Sequence, residues 1–315
     1  MERSLENIET HPNQGQPRVS IGLPIYNCAA TLGAAVRSIL NQSLEDWELL
    51  LLYDNSTDNT LELATSFCDP RIRVITDGNR PGLAACLNQA IEIGRGRFFA
   101  RMDADDVAFP NRLQRQVTFL EEHADIDLVG CSVLVFQERG KAIGMRPLAE
   151  THAEICRRPW AGFPLAHPTW MGRMGWFRAH RYRSNLARAE DQELLLRSYT
   201  TSRFGGIAEV LLGYEENSLS LRKMLGGRYV FARAVFREFS SRGQIFTAFR
   251  GVLGQSAKAL VDFLAVSTGM NHLILRHRAR LVGNEVINHW TEVWQDLQKS
   301  EGAAPSLHES EHQRE

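Results

Sequence analysis

Apolar positions along the first two hundred residues alternate between two rhythms. Val19, Ile21 and Leu23 mark a strand over 19–23, with Pro24 expected to stop it. The run 47–53 is apolar at nearly every position, the pattern of a strand buried on both faces of a parallel sheet. Between them, Leu32, Ala35, Val36, Ile39 and Leu40 form one helical stripe over 31–41. The alternation continues with a helix over 60–67, a strand over 71–76, a helix over 82–93 and a strand over 97–102. Three β-α units within about 85 residues predict a doubly wound α/β sheet. Such sheets bind ligands beyond the carboxyl ends of their strands.

Further along, Pro110 is expected in the first turn of a helix reaching His123, because its missing N–H would lack a partner there anyway. A strand over 126–136 turns at 137–141 into a hairpin, and the periodicity then blurs between 151 and 188. A helix resumes at Glu190-Asp191, a strand follows over 207–214, and the chain beyond Leu219 reads as helical to about Lys299. The organisation expected is a polar leader (1–17), an α/β domain (18–220), a basic helical region (221–300) and a polar tail (301–315).

The candidate chemistry sits at predicted strand ends. Asp103, Asp105 and Asp106 follow an apolar strand and an Arg. Carboxylates at this spacing can face one cleft, supply hard oxygen ligands to Mg²⁺ or Mn²⁺ and leave positions open for a diphosphate. The plainer reading is an Asp-rich turn capping the next helix, for which one Asp would suffice. Asp54 ends the second strand on the same sheet edge, either as an acceptor for a base N–H or a ribose hydroxyl, or as the start of the 55–60 turn. Glu190 and Asp191 open a helix, where a carboxylate can act as general base or simply complement the helix dipole. His167, in Ala166-His167-Pro168-Thr169, reads equally as a phosphate or metal contact and as a satisfied structural histidine. The interleaved Arg and aromatic residues between Trp160 and Arg188 suit stacking on sugars and clamping of pyrophosphate.

Composition narrows the class. The chain has 315 residues, 43% hydrophobic and 23% charged, with a formal net charge of -1. That profile excludes disorder and a generally basic nucleic-acid binder. The near-zero total is a cancellation: residues 1–220 carry about -5, 221–300 about +7 and the tail about -3. Five scattered cysteines without metal or redox spacing indicate free thiols in a reducing compartment. The leader has no apolar core of a secretory signal, and the most apolar later stretch, 257–275, carries Lys258, Asp262, Asn271 and His272. A cytoplasmic address is expected. The basic segment invites two readings, docking on an anionic bilayer at the inner face of the cell membrane, or packing on the catalytic domain or a second copy in a homo-oligomer. Glycine-rich loops of the GxxxxGK[ST] and GxGxxG types and a GxSxG elbow are absent from the sequence, against P-loop NTPases, dinucleotide oxidoreductases and α/β-hydrolases.

Taken in order, Val19 to Asn27 (VSIGLPIYN), Ser38 to Ser43 (SILNQS), Asp46 to Leu49 (DWEL), Asp54 to Thr60 (DNSTDNT), Gly82-Leu83-Ala84 with Asn88, Asp103 to Asp106 (DADD) and Pro110 to Leu113 (PNRL) resemble the inverting family 2 glycosyltransferases of the GT-A fold over about residues 18–220. The resemblance implies a Rossmann-like, mostly parallel central sheet with flanking helices, here followed by a C-terminal helical appendix. It implies a metal-dependent transfer of a sugar from a nucleotide-sugar donor, a UDP-sugar, to a hydroxyl of a glycan or lipid-linked acceptor in bacterial polysaccharide biosynthesis. Pro24 and Tyr26 would then border the base, Asp54 would accept from uracil N3–H, and Asp103 would bind the donor. Asp105 and Asp106 would be metal candidates, Asp191 with Glu190 the acidic pair supplying the base, and His167 would lie near the acceptor. Tyr53 stands where the family usually has a second acid before Asp54, and Glu215-Glu216-Asn217 lacks the basic residue or histidine often found there. Two rivals share a similar core: a sugar-phosphate nucleotidyltransferase, whose glycine-rich opening is missing here, and a non-catalytic nucleotide-sugar-binding module.

Overall fold

The computed structural model describes residues 16–76, 82–217, 220–270 and 280–302. Most of the leader, the tail beyond 302, and Arg276 and Arg278 of the basic segment lie outside these residues.

The first half alternates as its sequence pattern predicts: β1 (Val19–Ile25), α1 (Leu32–Leu40), β2 (Trp47–Tyr53), α2 (Thr60–Thr65), β3 (Ile72–Thr76), α3 (Leu83–Ile93) and β4 (Phe98–Arg101). All three pairings among these strands are parallel. The second half adds β5 (Val107–Ala108), α4 (Arg112–Glu122), β6 (Leu128–Gln137), β7 (Lys141–Arg146), α5 (His152–Ile155), β8 (Met171–Arg173), α6 (Met174–Ala179), α7 (Glu190–Ser198) and β9 (Phe204–Glu215). One nine-stranded sheet results, ordered β3-β2-β1-β4-β8-β6-β9-β5, with β7 paired to β6. This half is mixed: β8 runs antiparallel to both β4 and β6, while β6 and β9 are parallel.

Burial on both faces explains the composition of the central strands. Leu49 and Leu51 of β2 enter one apolar layer with α1 and α4, while Leu50 and Leu52 enter the other with α3 and α7. In β1 the residues facing α3 are small because Phe99 and Ala90 crowd them; a Cβ at Gly22 would come within 2.6 Å of the Phe99 ring.

Two expectations about proline are corrected. β1 runs through Pro24 to Ile25, since β4 pairs only as far as Gly22↔Arg101 and the side of Pro24 lacking an N–H faces past its end. Pro110 lies before α4, which starts at Arg112 with Asn111 at its N-cap; the Pro110 carbonyl accepts instead from Ser43 N–H.

The C-terminal chain forms α8 (Leu221–Ser241), α9 (Ile245–Ser267) and α10 (Asn284–Gly302). Phe231, Ala234, Val235 and Phe239 of α8 and Ala248 of α9 join the layer containing α7. Helix α10 returns to the sheet, where Trp290 and Trp294 pack with Val107, Phe109, Leu134 and Phe136. The Trp290 indole N–H donates to the Gly140 carbonyl at 2.7 Å, and Gly213 leaves the space its ring occupies.

Candidate active site

The carboxyl ends of β1, β2 and β4 converge on one crevice. The loops leaving β1 and β2 are stitched together across it. Asn27 Oδ1 accepts from Thr57 N–H at 2.8 Å, Ser56 Oγ accepts from Asn27 N–H at 3.0 Å, and Asp58 Oδ2 accepts from Ala29 N–H at 3.1 Å. Asn27 and Asn55 both adopt φ of 48°, a left-handed turn that Asn tolerates better than most residues. The Thr60 side chain, with the backbone N–H groups of Ala29 and Thr60, holds the Asp58 carboxyl below its usual range. Asp58 is thereby a loop fastener, and Asp54, buried at the end of β2, is the acid this frame presents beside half-exposed Tyr26.

At the end of β4 the three acids come together, with one ligand-capable oxygen from each of Asp103, Asp105 and Asp106 lying within 4.8 Å of the others. Asp106 is buried; its Oδ1 accepts from Glu215 N–H at 3.0 Å, and its Oδ2 has no hydrogen-bond partner among the described residues. Burial, followed by Asp103 and Asp105, pushes the Asp106 carboxyl well above its normal range. The Asp105 carboxyl, which reaches solvent at the mouth, is pushed up to about 6 by desolvation and then by Asp103. Such crowding among acids is unfavourable unless a cation sits between them. An orphaned buried oxygen beside two further carboxylates is a donor set of hard oxygens, which fits Mg²⁺ or Mn²⁺.

A buried cation organises the crevice. Arg101, on β4, has a side chain 3% exposed and grips Asp103 through both guanidinium ends, Nη1 to Oδ2 at 2.6 Å. Burial opposes its charge, but Asp103 and Asp106 outweigh that and hold the guanidinium protonated. The same charge bears on His167, Tyr182, Glu190 and Asp191. Arg112, equally buried, donates to the Arg101 carbonyl at 2.6 Å and to the Pro168 carbonyl at 2.8 Å, tying the end of β4 to the His-Pro segment.

Across Arg101 stands the start of α7. Ala189 takes φ 54° and turns the chain sharply into Glu190 and Asp191. Burial raises both carboxyls, and Asp191 adds to the rise at Glu190. Gln192 fixes this end: its amide donates to Asp191 Oδ2 at 3.2 Å, and its Oε1 accepts from Phe163 N–H at 2.8 Å. The structure therefore brings Asp54, Asp103, Asp105, Asp106, Glu190 and Asp191 to one side of the sheet, with Pro24 and Tyr26 on the β1 edge.

His167 is sited differently from a ligand-facing residue. It is buried, its Nε2 lies 2.9 Å from Tyr182 Oη, and Trp170 meets it edge to face. Burial and then Arg101 depress its pKa well below the usual value, so it stays neutral. Its partner Tyr182 is anchored by Asn88, whose side chain exchanges two hydrogen bonds with the Tyr182 backbone at 3.0 and 2.8 Å.

Arg101 and Arg112 were missed as site residues on sequence, and Tyr182 was visible only as one of the interleaved aromatics between Trp160 and Arg188. A lone Arg inside the apolar run Phe98-Phe99-Ala100-Arg101-Met102 was the available signal for the first. Next to the 215–217 stretch, Arg146 of β7 ion-pairs with Glu216 and lies over the Tyr214 ring at 5.1 Å.

Comparison with known proteins agrees with this architecture. The family model described as glycosyl transferase family 2 matches residues 20–181. EpsE of Bacillus subtilis (strain 168), named a glycosyltransferase, is 36% identical over 215 residues, 66% of this chain and 76% of EpsE. WfgD of Escherichia coli, a UDP-Glc:alpha-D-GlcNAc-diphosphoundecaprenol beta-1,3-glucosyltransferase, is 38% identical over 102 residues, covering 32% of this chain and 40% of WfgD. The crystal structure of S. aureus TarS 1-349 in complex with UDP-GlcNAc superposes with a TM-score of 0.57 at 17% identity, over 90% of this chain and 81% of TarS 1-349. The fold is thus shared well beyond the range of close sequence identity. With the family model spanning half the chain and a relative this similar over three quarters of its own length, this chain belongs to the family 2 glycosyltransferases.

Proposed function

We propose that this glycosyltransferase moves a sugar from a UDP-sugar to a hydroxyl of a glycan or lipid-linked acceptor, inverting the anomeric centre with Asp191 as general base. The observation that carries this reading is the convergence of the three crowded acids at the end of β4 with Asp54 on one side and the Glu190-Asp191 pair across Arg101 on the other.

Asp105 and Asp106 would hold Mg²⁺ or Mn²⁺, with Asp103 toward the donor ribose. The bound ion would supply positive charge to the departing diphosphate. Asp54 would accept from uracil N3–H while Pro24 and Tyr26 border the base. Arg101 holds Asp103 in one rotamer and adds a fixed positive charge to the crevice, preorganised before substrate arrives. Burial raises the Asp191 carboxyl toward the range in which a base is effective near neutral pH, and Gln192 fixes its direction. Asp191 takes the proton of the attacking hydroxyl while that oxygen closes on the anomeric carbon opposite the leaving diphosphate. A solved relative bound to UDP-GlcNAc and a curated relative acting on a diphosphate-linked lipid support the donor and acceptor classes. Membership in a glycosyltransferase family removes the nucleotidyltransferase and non-catalytic alternatives.

The membrane reading of 221–300 gains support from α9, which is inverted. The residues it buries include Gln255 and Asp262, which face Arg228 at 3.4 and 3.0 Å, while Phe246, Phe249, Leu253, Leu260, Phe263 and Leu264 are exposed. Among the described residues no helix is long and apolar enough to cross a membrane. An exposed apolar helix face in a segment of net positive charge fits the interfacial zone of an anionic bilayer at the inner face of the cell membrane.

The test of the donor site is thermal. UDP with Mn²⁺ should raise the melting temperature of the wild type, and Asp105→Ala should abolish most of that rise. Equal stabilisation of both proteins would refute the metal assignment.

A further inference from the structure

A cavity of about 1050 Å³ opens beside Glu190, where residues 154–164 and 187–192 meet the facing surfaces of α8 and α9. Of the acids gathered at the crevice, Glu190 lines it, and Asp54, Asp103, Asp105, Asp106 and Asp191 do not. Its walls carry six cations, Arg157, Arg158 and Arg188 from the α/β domain, Lys223 and Arg228 from α8, and Lys258 from α9. Three carboxylates face them. Asp262 is committed to Arg228 at 3.0 Å, Glu154 closes a capping box with Thr151, and Glu190 belongs to the catalytic pair. Among the described residues Arg158, Arg188 and Lys223 make no ion pair. The placement of Arg188 is built into the fold: it lies along α8 at Gly226, where a Cβ would come within 2.9 Å of its Cδ. Gln192 links the cavity wall to Asp191, accepting from Phe163 N–H and donating to the Asp191 carboxylate.

We infer that this cavity is the acceptor subsite and that it binds a phosphate ester, the acceptor being a sugar carried on a phosphate or diphosphate. This rests on Asp191 being the base, because that assignment brings the acceptor hydroxyl to the start of α7. A neutral sugar has no use for Arg158, Arg188 and Lys223, which make no ion pair among the described residues, whereas a sugar diphosphate leaves its reactive hydroxyl at Glu190-Asp191 while its phosphates meet these three. The volume suits a ligand of that size. The phosphates take no part in bond making; they position the acceptor. Two sources share this chemistry, a lipid-borne sugar diphosphate and a free sugar phosphate, and the exposed apolar face of α9 lies on the helix that forms one wall.

The experiment is calorimetric titration of the full chain in EDTA with farnesyl diphosphate, inorganic pyrophosphate and farnesol. The wild type should bind the two diphosphates and not farnesol. Combining Arg158→Gln, Arg188→Gln and Lys223→Gln should weaken diphosphate binding on the order of tenfold per cation removed. Lys223→Gln alone, on an exposed helix end, guards against misfolding of the triple variant and should show its single share of the loss. Tighter binding of farnesyl diphosphate than of pyrophosphate identifies a lipid-borne acceptor, and equal binding a free one. Undiminished diphosphate binding by the variants, or none by the wild type, overturns the subsite. The melting shift with UDP and Mn²⁺ is read on the same proteins and should be equal in all of them. Its absence throughout, with diphosphate binding intact, would refute the donor reading and leave the subsite standing.

Discussion

Arg101 and Asp103, two residues apart at the end of β4, form a two-pronged ion pair in which the cation is almost entirely buried and the carboxylate faces the crevice. Replacing Arg101 with Met would leave partly exposed Asp103 and buried Asp106 facing each other without their nearest positive charge. The expected result is weakened UDP binding even at saturating Mn²⁺ and a loss of stability on the order of 1–3 kcal/mol, less than for a fully buried pair because Asp103 keeps access to water. Lysine should rescue it only partly, because it cannot bridge both carboxylate oxygens. Denaturant melts and UDP titration of Arg101→Met and Arg101→Lys check both points.

Desolvation and mutual repulsion at Asp105 and Asp106 work against folding when no cation is bound. Asp105, held up to about 6, is forced partly against its charge at neutral pH by desolvation and by Asp103. Asp105→Asn should therefore raise the melting temperature in EDTA by about 1–3 °C, a figure discounted because the side chain reaches solvent. The same substitution should lose the Mn²⁺-dependent rise. A lower melting temperature in EDTA would show that Asp105 is stabilising as a carboxylate.

His167 supplies a pH dependence of definite sign. Its folded pKa lies well below 6.5 through burial, so between those values the unfolded chain binds a proton that the native protein does not. Stability from this group is complete above about 6.5 and is lost as pH falls below it, by up to about 1.4 kcal/mol per pH unit. Asp105 acts oppositely between about 6 and 4, so the comparison must be made within one background. The wild type minus His167→Gln should show the acid-side loss. Tyr182→Phe, which leaves His167 Nε2 buried without its partner, should cost about 1–3 kcal/mol at pH 7.

The exposed face of α9 predicts a membrane phenotype. Full-length protein should float with vesicles containing anionic lipid and not with neutral ones, and added salt should weaken the association. Phe246→Ser combined with Leu253→Ser and Leu260→Ser should abolish flotation with little loss of melting temperature, since these side chains are exposed. Flotation unaffected by lipid charge or by these substitutions would end the membrane reading.

The parallel half of the sheet was legible because its strands are long apolar runs closed by distinctive residues. The pattern predicts 47–53 for β2, and the structure matches it to the residue. The two-residue β5 and three-residue β8 carry no readable period; each exists because a neighbouring strand, β9 for one and β4 with β6 for the other, offers it an edge. The blurred stretch 151–188 is ordered by contacts distant in sequence, such as Arg112 to the Pro168 carbonyl and Asn88 to the Tyr182 backbone. In the site, acids at strand ends are visible in sequence because their position follows from the strand. The centrality of Arg101 is not, since it depends on which charges the fold brings around it. Likewise α9 reads as an ordinary apolar helix until packing shows that its polar residues face inward.

The most direct test of the central claim is release of UDP from a UDP-sugar, UDP-GlcNAc first, by wild type and Asp191→Asn with Mn²⁺, alongside titration of UDP. Removing a general base costs on the order of 10²–10⁴ in rate. The account predicts a turnover loss in that range with UDP affinity unchanged. Near-wild-type turnover in Asp191→Asn would contradict it and place the base elsewhere.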